Sequence, residues 1–386
     1  MKKVPRLRFR GFQEDWELCK LSTEFEKVNE RNDGSLGKEH WISVAKMYFQ
    51  NPDKVQSNNI DTRTYVMRTG DIAFEGHPNK EFKFGRFVAN DIGTGVVSEL
   101  FPIYRHKQEY DNYYWKNAIQ IERVMGPIFA KSITSSGNSS NKLDPNHFLR
   151  QQVFIPKLEE QKKIGLFLKK LDDTITLHQR KLDQLKELKK AYLQVIFPAK
   201  DERVPKLRFA DFEEEWELRK LEDLANKYNN LRIPITASKR IYGNTPYYGA
   251  NGIQDFVEGY THDGEFILVA EDGASNLKDY PVQYVNGKVW VNNHAHVLQA
   301  KRSKADNKFL MNAIKSINIE PFLVGGGRSK LNSEVMMNLE INTPSKDEQL
   351  KISTLCKQLD DITALYQNKL NQLKNLKKSY LQNMFI

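Results

Sequence analysis

A chain of 386 residues is long enough for two or three domains of about 150 residues, and 39% hydrophobic with 11% aromatic residues can fill real cores, which excludes a disordered polypeptide. Fifty-nine Lys and Arg against 49 Asp and Glu leave a net charge of +10, which favours a polyanionic partner. The two cysteines, Cys19 and Cys356, exclude a disulfide framework and a zinc site built on cysteine pairs. With no leader-like start and no apolar run of membrane-spanning length, a reducing, cytoplasmic location is expected.

The chain opens on a block that it later repeats. Val4 to Leu21 returns as Val204 to Leu221, with 12 of 18 positions identical at an offset of 200. A longer block, Gln161 to Phe197, returns as Gln349 to Phe385, with 21 identities in 37 at an offset of 188. Segments 22–157 and 222–345 show no comparable identity, so the two halves share a scaffold and differ in what it presents. Cys19 stands opposite Arg219 and Cys356 opposite Leu168, so neither thiol has a shared role.

After the first block, Thr64–Met67 and Asp71–Phe74 read as two short strands around Arg68-Thr69-Gly70. Residues 159–196 read as a helix of roughly 57 Å, ended by Pro198 and preceded by Pro156. Its heptad seam carries Ile164, Leu168, Leu171, Ile175, His178, Leu182, Leu185, Tyr192 and Ile196. In the second half, Glu265–Ala270 reads as a strand, and Gln283–Val285 with Lys288–Val291 reads as a hairpin around Asn286-Gly287. The second helix follows Pro344 and repeats the seam at Ile352, Cys356, Leu359, Leu370, Leu373, Tyr380 and Met384. Such a seam needs a partner, and the other copy is the nearest, so an antiparallel pair with a pseudo-twofold repeat is expected. The expected class is α+β, two mixed, strand-rich domains separated by two long antiparallel helices that form a coiled-coil spacer. Its segments are 1–157, 158–198, 199–345 and 346–386.

No catalytic constellation stands out. Gly325-Gly326-Gly327-Arg328-Ser329-Lys330 lacks the frame of a phosphate loop, and Gly93-Thr94-Gly95 lacks the third glycine of a dinucleotide fingerprint. His294 and His296 share a strand face but have no third ligand nearby in sequence, so no metal site is expected. The alternative enzyme reading is a self-contained Mg-dependent nuclease using Asp53, Glu81 and Lys83. What remains is basic, aromatic and amide-bearing surface suited to phosphates and base edges. The DNA-binding candidates in the first half are Arg63, Lys80, Lys83, Arg86, Arg105, Lys131, Ser135, Asn138 and Lys142. In the second half they are Lys239, Arg240, Tyr247, Tyr248, Asn251, Asn276, His294, Arg328 and Lys330.

The duplicated Val-Pro-x-Leu-Arg-Phe-x-x-Phe-x-x-x-Trp-Glu-x-x-x-Leu opening resembles that of the specificity subunits of type I restriction-modification systems. So do the Glu-Gln-x-x-Ile helix starts at 160–164 and 348–352 and the Leu-x-x-Leu-Lys-Lys-x-Tyr-Leu-Gln helix ends at 185–194 and 373–382. Gly70-Asp71-Ile72-Ala73-Phe74, Pro246–Gly252 and Val291–Val297 add to the resemblance. It implies two target recognition domains, each reading half of a bipartite, asymmetric site on double-stranded DNA. It also implies docking of two methyltransferase subunits and of motor-nuclease subunits. This chain would hold no cofactor and catalyse nothing alone; S-adenosylmethionine, ATP and Mg2+ would serve the partner subunits, for adenine-N6 methylation and ATP-driven cleavage.

Overall fold

The computed structural model describes residues 3–55, 63–136, 140–199, 201–325 and 329–386, with the side chains of Ser135 and Ser136 outside that description. The chain forms two compact units, residues 1–179 with 368–386 and residues 180–367. The long helices Leu158–Ile196 and Lys346–Met384 each give one half to each unit. Compactness therefore divides each long helix between the two units.

Both units are built on one four-stranded antiparallel skeleton. In the first, the order across the sheet is Phe25–Val28, Ile103–His106, Ile72–Glu75, Arg86–Ala89. In the second it is Ala225–Lys227, Ala295–Ala300, His262–Ala270, Val282–Val291, extended by Tyr242–Gly249 and Gly252–Val257. Two corrections follow. Thr64–Met67 and Ile72–Glu75 are strands, but they do not pair with each other: the former pairs with Gly95–Ser98. Asn286-Gly287 does not turn a hairpin either, because Val282–Val291 runs straight through it along His262–Ala270. Gly287, at φ 90°, lies opposite Gly264, at φ 136°, so two glycines absorb a left-handed irregularity inside a ladder that continues on both sides.

The repeated opening block does the same work twice. Glu17–Lys20 pairs with Gln152–Ile155, and Glu217–Lys220 with Glu340–Thr343. The Arg8 guanidinium donates to both oxygens of Glu160 at 2.7 Å, and Arg208 to both of Glu348 at 2.8 Å; each glutamate is 1% exposed. This geometry is the strong, bidentate form of a charge-assisted bond. Trp16 and Trp216, at 2% and 1% exposure, sit in the two main cores.

Equivalences extend into the segments that share no sequence. Lys107 and Lys301 reach the carbonyls of Ser22 and Glu222, and their own amides bond Glu24 and Leu224. Asp111 and Asp306 cap the helices Asn112–Ala118 and Asn307–Ser316, while their amides donate to Gln161 and Gln349 of the long helices.

Within each unit the long-helix segments run antiparallel. In the first, Phe167 meets Tyr380 edge-on at 4.8 Å and Asp172 pairs with Lys377 at 2.6 Å. In the second, the equivalent Lys189 pairs with Asp360. Of the seam residues, Ile164, Leu168, Leu171, Leu182, Leu185, Ile352, Cys356 and Leu370 are buried, whereas Ile175, Tyr192, Leu359, Leu373 and Tyr380 are half-buried. Burial pushes the Cys356 thiol up to about 11, consistent with a packing role.

Candidate nucleic-acid interface

In the first unit, the skeleton strands Ile72–Glu75 and Arg86–Ala89 are joined by a segment carrying Lys80, Lys83 and two aromatic rings. Lys80 and Lys83 are exposed, and the Lys83 ammonium lies 5.3 Å from the Phe84 ring centre. Arg86 is half-buried: it stacks over Phe82 at 5.2 Å, stands 3.7 Å from the buried Glu75 carboxylate, and donates to the Ala45 carbonyl at 2.6 Å. Arg63 before Thr64–Met67, Lys131 late in the helix Glu122–Ser132, and Lys142 on the strand Asn141–Leu143 are all exposed. The Ser135 backbone pairs with Lys142; its side chain and the whole of Asn138 lie outside the described residues.

Arg105 is engaged by two carboxylates of its own unit. Its guanidinium donates to both oxygens of Asp71, at 2.9 and 2.8 Å, and stands 3.1 Å from Glu30. Asp71 is 2% exposed, and its hydrogen bond, against the cost of burial, raises the guanidinium pKa. The hydrogen bond from Arg68 holds Glu30 below the ordinary carboxylate range. This network, with the Arg68 amide also donating to Asp71, fixes the turn at Gly70-Asp71.

In the second unit Tyr247 is held inside the fold. It is 1% exposed, and its hydroxyl bonds the Ile235 amide at 3.0 Å and carbonyl at 3.3 Å. Arg240 lies over that ring at 4.2 Å and pairs with Asp255, so the arginine braces the strand pair Tyr242–Gly249 and Gly252–Val257. Lys239 beside it is exposed. Tyr248 is half-buried against the Phe266 and Val291 cluster, which pushes its phenol up. Both amides noted in the sequence serve loop geometry: Asn251 bonds Gly273 and Ser275, and Asn276 accepts from Lys278 and Asp279.

His294 and His296 each have partners within the chain. The His294 ring meets Asp272 at 2.6 Å, and the fully buried His296 ring bonds the Leu331 carbonyl and Asn229. Burial lowers the His296 pKa. Glu271 gathers Arg232 at 2.6 Å and Lys330 at 2.9 Å; burial works against its charge, but those two donors prevail and hold it low. Lys330 is thus tied at its head while remaining 47% exposed; Arg328 lies outside the described residues. Among the described residues no group of three His, Cys, Asp or Glu side chains could hold a metal ion. Asp53 sits in the turn Pro52–Lys54, while Glu81 lies beyond the Asn79 turn. Among the described residues no helix is long and apolar enough to cross a membrane.

This pattern, a doubled frame holding two different exposed surfaces, has a counterpart among known proteins. The type I restriction modification DNA specificity domain matches residues 87–187 and 213–375, more than half of the chain, and the chain belongs to that family as a specificity subunit. A putative type I restriction enzyme specificity subunit of Haemophilus influenzae is 46% identical over 153 residues, 40% of this chain and 38% of that protein. The chain thus spans well under half the length of that relative. The putative MjaX specificity subunit of Methanocaldococcus jannaschii is 20% identical across 95% of this chain and 92% of its own. The crystal structure of a type I restriction-modification S subunit from M. genitalium has the same fold, with a TM-score of 0.66 at 14% identity over 99% of both chains.

Proposed function

We propose that this chain is the sequence-reading subunit of a type I restriction-modification complex, each unit reading one half of a bipartite DNA site. The long helices serve as the spacer element. The observation that carries the reading is the pairing of one skeleton and one frame with two unlike exposed surfaces, which is what reading two unlike half-sites demands. The target is therefore asymmetric. Chemistry belongs to partners: two methyltransferase subunits using S-adenosylmethionine at adenine N6, and motor-nuclease subunits using ATP and Mg2+. This chain positions them and catalyses nothing alone.

Methylome sequencing of a host carrying this chain with its partners tests the reading. A two-part methylated-adenine motif with unlike halves is expected, and identical inverted halves would remove the asymmetry. Purified chain with Mg2+ and plasmid is expected to bind without cutting, with affinity falling steeply as salt rises. Cutting without partners would favour the nuclease built on Asp53, Glu81 and Lys83.

A further inference from the structure

The segment Ile42–Phe49 forms a small hairpin that the sequence pattern does not announce. Ile42 pairs with Phe49 and Ser43 with Tyr48, and the amides of Lys46 and Met47 both donate to the Ser43 carbonyl. Its base is anchored, because Ile42 and Val44 are each 2% exposed in a cluster with Met67, Ala73 and Val88. Its far side is not covered: Ala45 and Lys46 are exposed, Tyr48 is 47% exposed and Phe49 38%. Met47 holds φ 47°, a left-handed conformation that costs a side-chain-bearing residue free energy. The second unit has two short turns, Asn229–Leu231 and Ala237–Lys239, between its first skeleton strand and Tyr242, and no such hairpin among its described residues.

The hairpin does not stand by itself. The Arg86 bond to the Ala45 carbonyl straps its tip to the start of Arg86–Ala89, the strand that follows the segment carrying Lys80 and Lys83. Arg86 thereby joins the hairpin, with its exposed Lys46 and Tyr48, to the segment that carries Lys80, Lys83 and the Phe82 ring over which it stacks. The buried acid, Glu75, is already engaged by Arg86 and His77, which leaves Glu81 as the exposed acid of the joining segment. A two-stranded ribbon has the width a DNA major groove admits, a lysine there meets phosphate or guanine, and an aromatic face meets a thymine methyl.

We propose that Ile42–Phe49 is a base-reading element of the first unit, with Lys46 and Tyr48 facing base edges and Lys80 and Lys83 on the flanking phosphates. The proposal rests on the reading of the chain as a DNA-binding subunit and adds the element and the side chains. Positive charge around exposed rings fits a polyanion with apolar groove groups better than a protein surface.

The test is selection of bound duplexes from a random-sequence library by the purified full chain. The wild type is expected to return a two-part motif. The double variant Lys46→Ala, Tyr48→Ala is expected to lose specified bases in one part, keep the other, and bind the wild-type motif about 5- to 150-fold more weakly. Tyr48→Phe is expected to restore much of the motif, which a misfolded hairpin would not allow. Lys83→Ala is expected to keep both parts, weaken binding to every sequence, and lower the salt slope by about one. Leu18→Ala, an exposed site on the frame, is expected to change nothing. An unaltered motif and affinity in the double variant overturns the proposal, as does a variant that reads DNA normally but no longer co-purifies with partner subunits. A wild type that binds no DNA removes the DNA-binding reading itself, a failure distinguishable from that of the hairpin.

Discussion

The two units use the same residues to hold backbone in place and different residues to meet solvent. Arg8 with Glu160, Lys107 and Asp111 with Gln161 recur as Arg208 with Glu348, Lys301 and Asp306 with Gln349. Each ties a strand or helix end to the frame. On that support the first unit builds the Ile42–Phe49 hairpin and the pair Thr64–Met67 with Gly95–Ser98, whereas the second adds two strands beyond Val282–Val291. The contrast teaches that a surface can diverge freely once its attachment points are hydrogen-bonded by residues that do not belong to it.

The comparison can be broken at its strongest joint. Glu160→Ala strands Arg8 and is expected to destabilise the first unit by about 3–5 kcal/mol, with Glu348→Ala doing the same to the second. Amide hydrogen exchange resolves the units; loss of protection in the untouched unit would show that the frames are not independent. Leu168→Ala, at a fully buried seam position, should cost about 2–5 kcal/mol, and Cys356→Ala at the equivalent place distinctly less, because fewer atoms leave the core. Equal losses in thermal unfolding would deny that the seam is packed differently in the two copies.

A finer contrast lies about two turns into each helix. A Cβ on Gly165 would stand 1.9 Å from Asp111 Oδ1, whereas the equivalent Ser353 bonds Asp306. Gly165→Ser should therefore cost about 1–3 kcal/mol, although Ser is what the other copy carries there. A neutral result would mean that the Asp111 cap can swing aside.

Acid should act through histidines. Burial pushes His106 down to about 3, where it stacks on Tyr110 at 3.8 Å. The unfolded chain binds that proton near pH 6.5 and the folded unit does not. Stability is thus fully present above pH 6.5 and is lost toward pH 3, by at most about 1.4 kcal/mol per pH unit. His106→Phe is expected to flatten that slope for the first unit; His262 and His296, also lowered by burial, keep it in the second. An unchanged slope in the first unit would acquit His106. Least of all, Asp172→Asn and Asp360→Asn, which each break one copy of the same helix ion pair, should cost no more than about 1 kcal/mol in denaturant unfolding, equally in both units.

The duplication, both long helices and their seam are legible in the sequence because side-chain identity or periodicity records them. The common skeleton of the two variable segments is not, since backbone pairing carries it and Lys107 and Lys301 sit at a different offset from the blocks. Of the basic residues, Arg105 reads like any surface arginine until Asp71 is seen beside it, and Tyr247 like any strand tyrosine until Ile235 closes over its hydroxyl. Lys46 and Tyr48 escape notice because two-residue strands leave no alternation to detect.

The first unit packs Met384 and Phe385 into its core, with the Phe385 ring 5.5 Å from Tyr114. The second is drawn from one uninterrupted stretch, residues 180–367. During synthesis, then, the half translated later has everything it needs first. The half translated earlier waits with Trp16, Tyr114 and Leu168 partly uncovered until residues 368–386 emerge. Its vulnerable interval lasts from the synthesis of residue 179 to that of residues 368–386, about half of the time these residues take to be made, so chaperone binding during translation should concentrate on the leading half.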